Sequence, residues 1–388
     1  MEKSRILITC AKGITPFLKE ELLQQGFPVL SEGVAGVTTE GTLDDTLRLN
    51  LLLRTGHRVL YLLREFRAAD AEALYRGVSQ ISWENYIAED GYVCVTSSVE
   101  NPSIRDSRYA NVKCKDAIVD RIKEKCGQRP DSGPDQDRTV VNLYWKNGSC
   151  SVYIDTSGEP LSRRGYRRIP MEAPMQETLA AAVIMATGWK GHGHFINPMC
   201  GSGTLAIEAA LIALNRPPGL LRDNFGFMHL EEFSEALWND LRAQAKREAK
   251  KSLQCRIIAT DIRQDAVEAA RKNAATAGVE HLIEFSSSDY SETTIPEGGG
   301  IVIMNPEYGE RMGEIKGLEG VYRGIGDFFK QRCREFKGYL FTGNLDLAKK
   351  VGLRAKRRIP FFNGPIECRL LEYELYEGSR RNKNPQIT

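Results

Sequence analysis

The sequence predicts an α/β fold: a mostly parallel, helix-wrapped sheet preceded by smaller α+β units. Three observations predict it. From residue 173 onward, strand-like and helix-like stretches alternate, the pattern of a doubly wound sheet. Within that region "NPMCGSGTLAIEAA" (197–210) runs from a strand through a glycine turn into a helix. Finally, 388 residues exceed what one ordinary core organises, so two or three domains are expected.

The elements follow in order. "RILITC" reads as a strand and "TPFLKEELLQQGF" as an amphipathic helix stopped at Gly26. "LDDTLRLNLLLRTGHRVLYLLREF" gives a second helix and a strand, completing a small α+β unit to residue 64. In 65–158, "DAEALYRGVSQISWENYI" is a broken helix, "GYVCVTSSV" a strand and "NVKCKDAIVDRIKEKCG" a helix. "PDSGPDQDR" is turn-rich. Two β-rich runs then flank Asn147-Gly148, a hairpin signal. A basic linker covers 159–172. Beyond it, "HFINPMC", "CRIIATDI", "IEFSSSDYS", "GIVIMNPEYG" and "GYLFTGN" end strands, separated by helices such as "DAVEAARKNAATAG". Residues 216–252 read as a long, mostly helical insertion. "PIECRLLEYELYE" is a final strand at or near an antiparallel edge, and the polar tail 378–388 is expected to fray.

Composition narrows the partners. A net charge of +2 leaves nucleic-acid contact to local patches. Nine cysteines, an odd number without Cys-x-x-Cys spacing, fit reduced thiols in a cytoplasmic protein. There is no signal-peptide pattern and no apolar run long enough to span a bilayer, so no membrane partner is expected. "GHGH" (191–194) has the look of a metal pair but lacks acidic or Cys partners; it reads as turn and surface, and no metal is expected.

Gly201-x-Gly203-x-x-Ala206 fits either a dinucleotide or S-adenosylmethionine (SAM), because glycines permit a sharp turn and the next helix offers N–H groups. The insertion delays the next strand-ending acid to Asp261, so spacing leaves both open. The order of later strand ends favours SAM. Asp261 suits ribose hydroxyls, Asp289 suits the adenine amine, and Asn305-Pro306 ends a fourth strand, where ligands collect in open sheets. Each acid alone also reads as a helix cap or a solvated turn.

"WENY" (83–86), "KCKDAIVDRI" (113–122), "LSRRGYR" (161–167) and "APMQETLAAAVIMATGW" (173–189) precede the glycine loop. "ATDIRQDAVEAARKNA", "NPEYGERM", "LFTGN" and "IECRLLEYEL" follow it. Together they resemble THUMP-domain SAM-dependent RNA methyltransferases, which include bacterial large-subunit rRNA and tRNA guanine-N2 enzymes. The resemblance implies a ferredoxin-like unit (1–64), a THUMP RNA-binding domain (65–158) and a Rossmann-like methyltransferase domain (173–388). It implies SAM contacts at Thr178, Asn197, Met199, Cys200, Gly201, Gly203, Thr204, Asp261, Ile262, Asp289 and Tyr290. It implies a structured RNA partner, rRNA or tRNA. Oligomeric state stays open, with a monomer compatible. Two positions depart from the family pattern: Asn197 stands for an Asp, and Glu307 for the second Pro of Asn-Pro-Pro-Tyr.

An aromatic exocyclic amine is a weak nucleophile because its lone pair is delocalised into the ring. The Asn305 oxygen and the Pro306 carbonyl can accept from its two N–H groups, while Tyr308 stacks on the flipped base. These three are the expected catalytic residues. Glu307 could accept from guanine N1–H and N2–H, selecting guanine, or point away. In "SRRGYRR" (162–168), Arg163, Arg164, Tyr166 and Arg167 are expected to meet RNA. The run 349–362 reads as solvated surface charge. Cys200 has no base to make it a nucleophile. Adenine-N6 methylation of RNA or DNA, and an RNA-binding protein with a degenerate site, are the alternatives.

Overall fold

The structure, a computed structural model, describes residues 2–101, 104, 106–169, 171, 174–309 and 312–375, leaving out the side chains of 312–316. The polar tail, and Glu310 and Arg311 of the motif stretch, lie outside the described residues. The chain divides into two compact units: residues 1–164 with 216–249, and residues 165–215 with 250–388.

The first unit contains β1 (Ser4–Thr9), α1 (Thr15–Gln24), β2 (Ser31–Gly33), β3 (Gly36–Gly41), α2 (Leu43–Leu52) and β4 (Arg58–Arg67). It continues with α3 (Ala71–Ser79), β5 (Tyr92–Glu100), α4 (Ser107–Cys126), β6 (Asp131–Ser132), β7 (Thr139–Lys146) and β8 (Ser149–Asp155). Local chemistry explains the ends. Thr42 and Asp45 close a capping box before α2, and Asp70 caps α3. Asn147 and Gly148 both adopt positive φ, as the tight β7–β8 hairpin demands. One sheet of order β2-β3-β1-β4-β8-β7-β5-β6 carries the whole unit. The expected boundary at residue 64 therefore falls inside β4, which pairs with β1 on one side and β8 on the other.

The second unit holds α5 (Glu177–Thr187), β9 (His194–Pro198) and α6 (Thr204–Ala213), after which the chain leaves through α7 (Glu235–Glu248) of the insertion. It returns at Lys250, whose N–H donates to Leu214 O (2.7 Å). β10 (Ile257–Asp261), α8 (Gln264–Thr276), β11 (Ile283–Ser287), β12 (Gly300–Met304), α9 (Met312–Arg332), β13 (Phe336–Thr342), α10 (Leu345–Lys350), β14 (Arg357–Asn363) and β15 (Ile366–Glu374) follow. The sheet order is β11-β10-β9-β12-β13-β15-β14, with the first five strands parallel and β15 antiparallel to both its neighbours, β13 and β14. β14 is a strand in the structure, although in sequence its "RRIPFF" reads as part of a basic run. It forms the edge, and β15 lies inside it.

The insertion is a second difference. Residues 216–249 group with the first unit and not with the sheet whose strands they separate. Phe225, Phe227 and Trp238 form a buried aromatic cluster with ring centroids 5.0–5.4 Å apart. Arg222 donates to the carbonyls of Ser157, Glu159 and Pro160. Those carbonyls leave β8 without strand partners, and a buried guanidinium satisfies several at once.

Candidate active site

In the second unit, the chain builds outward from β9 to β10 and β11, then crosses to β12 on the other side of β9. In open α/β sheets such a reversal marks where ligands bind, outside the strands' C-terminal ends, here those of β9 and β12. The β9–β12 ladder runs only to Ile196↔Val302. Beyond it, Asn197 Nδ2 donates to Ile303 O (3.0 Å), bridging the strands where backbone pairing stops. Its Oδ1 is buried with no hydrogen-bond partner among the described residues. This explains the first departure from the family pattern: an ionised Asp has no proton to give Ile303 O.

The glycine loop follows. Met199 (φ 58°), Gly201 (φ 53°) and Gly203 (φ 83°) all lie in the left-handed region. A Cβ on Gly203 would approach Ala270 Cβ at 2.9 Å, so glycine lets the start of α6 sit close on α8. A Cβ on Gly201 would meet nothing within 4 Å, so that position faces open space. Asp261, at the end of β10, accepts from Gly201 N (2.9 Å) and from Arg263 N (3.0 Å). Its neighbour Ile262 is 70% exposed, an apolar side chain left open beside a carboxylate. Thr178 and Thr204 are buried at the starts of α5 and α6.

Asp289 accepts from Ser291 N (2.9 Å) and Ser291 Oγ (2.6 Å), capping a short turn. Tyr290 packs edge-on against Phe328 and donates to Val321 O (3.4 Å). Burial, and then the Asp261 charge, push the Cys200 thiol well above its ordinary range, which leaves it protonated and not nucleophilic. The orphaned Asn197 oxygen, the open face at Gly201, Asp261 and exposed Ile262 together fit an adenosyl cofactor with a charged amino-acid tail. Asn197 can accept from the ammonium, Asp261 from ribose, and Ile262 can cover a base.

Asn305 follows β12 directly. Pro306 is buried, Glu307 is exposed and Tyr308 is partly buried. The Tyr308 hydroxyl donates to Asn305 Oδ1 (2.8 Å), which orients the amide so that its oxygen is identified. Burial raises the Tyr308 phenol far above its ordinary value, so it stays a donor. The Tyr308 ring centroid lies 6.4 Å from that of Phe341, and a Cβ at Gly343 would come within 3.0 Å of the ring. The loop backbone is held from outside the motif. Tyr322 on α9 donates to Glu307 O (3.1 Å), and Asn344 Nδ2 donates to Tyr308 O (2.9 Å). Neither holder was read as functional from sequence; "LFTGN" marked Asn344 only as part of the resemblance.

The basic linker is a correction. Arg164 and Tyr166 are each 1% exposed, so they present no surface to RNA. Arg164 Nη2 donates to Arg54 O (2.6 Å), and the Tyr166 hydroxyl to Glu208 Oε1 (3.1 Å). Arg167 donates to Glu177, Ser202 and Met175 O. Arg163 alone of the four is exposed, and it pairs with Glu159. An Arg/Tyr run looks the same in sequence whether it meets phosphate or buried carbonyls. In the second basic run, Lys349, Lys350, Lys356 and Arg357 pair with Asp346, Glu319, Glu374 and Glu372. His194, the first residue of β9, accepts from Arg256 N and hydrogen-bonds Glu297 O. Among the described residues no cluster could hold a metal, and no helix is long and apolar enough to cross a membrane.

Comparison with known proteins places the chain. Residues 164–372 match the RMKL-like methyltransferase domain, 5–60 the RlmL ferredoxin-like domain and 68–155 the THUMP domain. The chain is 39% identical over 374 residues to ribosomal RNA large subunit methyltransferase K/L of Psychromonas ingrahamii, covering 95% of this chain and 50% of that one. The corresponding protein of Syntrophotalea carbinolica is 35% identical, with 96% and 54% covered. The chain thus spans about half the length of these two curated relatives. Among solved structures, SMU.472 in complex with SAH superposes with a TM-score of 0.88 at 28% identity, covering 98% of this chain and 100% of that one. A structure described as a predicted N6-adenine-specific DNA methylase from Listeria monocytogenes gives 0.87, also at 28%, with 97% of each chain covered. A methyltransferase-domain match over more than half the chain, joined to both N-terminal domain matches in order, makes this protein a member of the RMKL-like methyltransferase family.

Proposed function

We propose that this chain is a SAM-dependent RNA methyltransferase acting on the exocyclic N2 amine of a guanine, in 23S rRNA first and tRNA second. The observation that carries the reading is Asn305-Pro306 at the end of β12, beside the glycine loop, with the Asn305 oxygen fixed by Tyr308. SAM, when bound, supplies an electrophilic sulfonium methyl. The Asn305 oxygen has two lone pairs: Tyr308 takes one, and the other can accept from the target amine. With the Pro306 carbonyl accepting the second N–H, electron density shifts onto nitrogen and the amine is held for in-line attack. Tyr308 thus acts through its hydroxyl as well as offering a ring. The ferredoxin-like and THUMP domains are the part proposed to hold RNA, in the cytoplasm.

Glu307 supports guanine. Its side chain is exposed, and a carboxylate is an acceptor only. Guanine presents N1–H to such an acceptor while both N2–H groups stay with Asn305 and Pro306, whereas adenine presents an acceptor at N1. The adenine reading has one observation in its favour, the description of the Listeria structure. Mass spectrometry of nucleosides from rRNA and tRNA of a deletion strain decides. Loss of N2-methylguanosine is expected; loss of N6-methyladenosine instead would overturn the guanine reading. Calorimetric titration with SAM separates an enzyme from an RNA-binding protein with a degenerate site.

A further inference from the structure

We propose that Arg167 is a positioning residue that sets the shape of the cofactor cleft by tying the glycine loop to the start of α5. The proposal rests on the SAM reading above. Its basis is a closed circuit of hydrogen bonds in the second unit. Arg167 Nε donates to Glu177 Oε1 (3.0 Å), Nη1 to Ser202 Oγ (3.0 Å) and Nη2 to Met175 O (2.8 Å). Ser202 sits between Gly201 and Gly203, and Glu177 is the first residue of α5, beside Thr178. One planar fork therefore spans two walls of the cleft.

The other side of Ser202 is held as well. Asn273 on α8 donates from Nδ2 to Ser202 O (3.2 Å) and to Ile169 O (3.1 Å). Its Oδ1 accepts from Arg168 N (2.9 Å) and Ile169 N (3.1 Å). The segment 167–169 thus grips Ser202 through both its hydroxyl and, by way of Asn273, its carbonyl. Of the loop's left-handed residues Met199 (φ 58°) is the one with a side chain, and a non-glycine residue stays in that region when its surroundings over-determine it. Arg167 and its neighbours supply that constraint. The linker that sequence reading gave to RNA becomes, at this residue, part of the cofactor site.

The two assignments of Arg167 predict opposite results. Calorimetric titration of the full chain with SAH, alongside RNA binding at several salt concentrations, distinguishes them. For Arg167→Ala we expect SAH affinity to fall by about tenfold or more, and for Ser202→Ala by about threefold. Arg167→Lys, a point charge without the fork, should fall between wild type and Arg167→Ala. Turnover should recover at saturating SAM, and the salt slope of RNA binding should stay at the wild-type value. The double variant Arg167→Ala/Ser202→Ala should bind SAH no more weakly than Arg167→Ala alone. Additive losses, wild-type SAH affinity in Arg167→Ala, or a reduced salt slope with SAH affinity kept would each overturn the proposal. Should Arg167→Ala melt early because Glu177 has lost its partner, Ser202→Ala decides alone, with unchanged SAH affinity counting against. A wild-type chain that binds no SAH removes the cofactor reading, and this proposal with it.

Discussion

Asn305 and Tyr308 stand three residues apart, and their side chains meet at 2.8 Å. Stacking was the role the sequence suggested for Tyr308; the hydroxyl contact adds a second. Tyr308→Phe keeps the ring and removes the proton that orients the amide. We expect kcat to fall by about three- to tenfold, the worth of one hydrogen bond, with SAH affinity unchanged in calorimetry. Asn197 gives a second residue-scale prediction. In Asn197→Asp, a buried carboxylate would face Ile303 O without a proton. Urea denaturation should show a loss of about 1–3 kcal/mol at pH 8. The loss should shrink at pH 5, because a protonated carboxyl can donate to that carbonyl again. A constant deficit would argue that the bridge to β12 is unimportant.

At the scale of elements, the motif loop is held by its neighbours. Tyr322 on α9 bonds Glu307 O and Thr342 Oγ1, while Asn344 caps α10 and donates to Tyr308 O. Tyr322→Phe leaves the buried ring in place and frees the loop carbonyl. Single-turnover kinetics should therefore show methyl transfer slowed by about three- to tenfold with unchanged SAH affinity. Equal slowing in a variant that also loses SAH would mean a general loosening of the unit. The strands β9, β10 and β12 were legible in sequence, since each is an apolar run that leads to Asn197, Asp261 or Asn305. β14 was not, because an edge strand needs only one apolar face and shows charges on the other.

At the scale of the molecule, the chain makes two units, and residues 216–249 join the first although the second surrounds them in sequence. The first unit carries a pH-sensitive interior. Burial first, and then Arg164 and Arg58, lower the His57 pKa from 6.5 to about 4. Below pH 6.5 the unfolded chain binds a proton that the folded one refuses. This contribution to stability is therefore complete above about pH 6.5 and is lost as pH falls toward 4. Melting between pH 7 and pH 5 should fall less in His57→Gln than in wild type, by about 4 °C. Identical pH slopes would show that His57 titrates normally.

The sequence by itself determined the fold class, the order of strand ends and the residue types at the site. Each of these is written in local periodicity or in a short motif such as Gly-x-Gly followed by a helix. The tertiary structure alone decided what those residues touch. It put Arg164 and Tyr166 into the interior, bound Arg167 to Glu177, Ser202 and Met175, joined the insertion to the first unit, and recruited Asn344, Tyr322 and Asn273 to hold loops elsewhere in sequence. The physical reason is that a side chain's partner is set by packing across the fold. A guanidinium meets phosphate or carbonyl with the same donors, and one-dimensional pattern does not record which is within 3 Å.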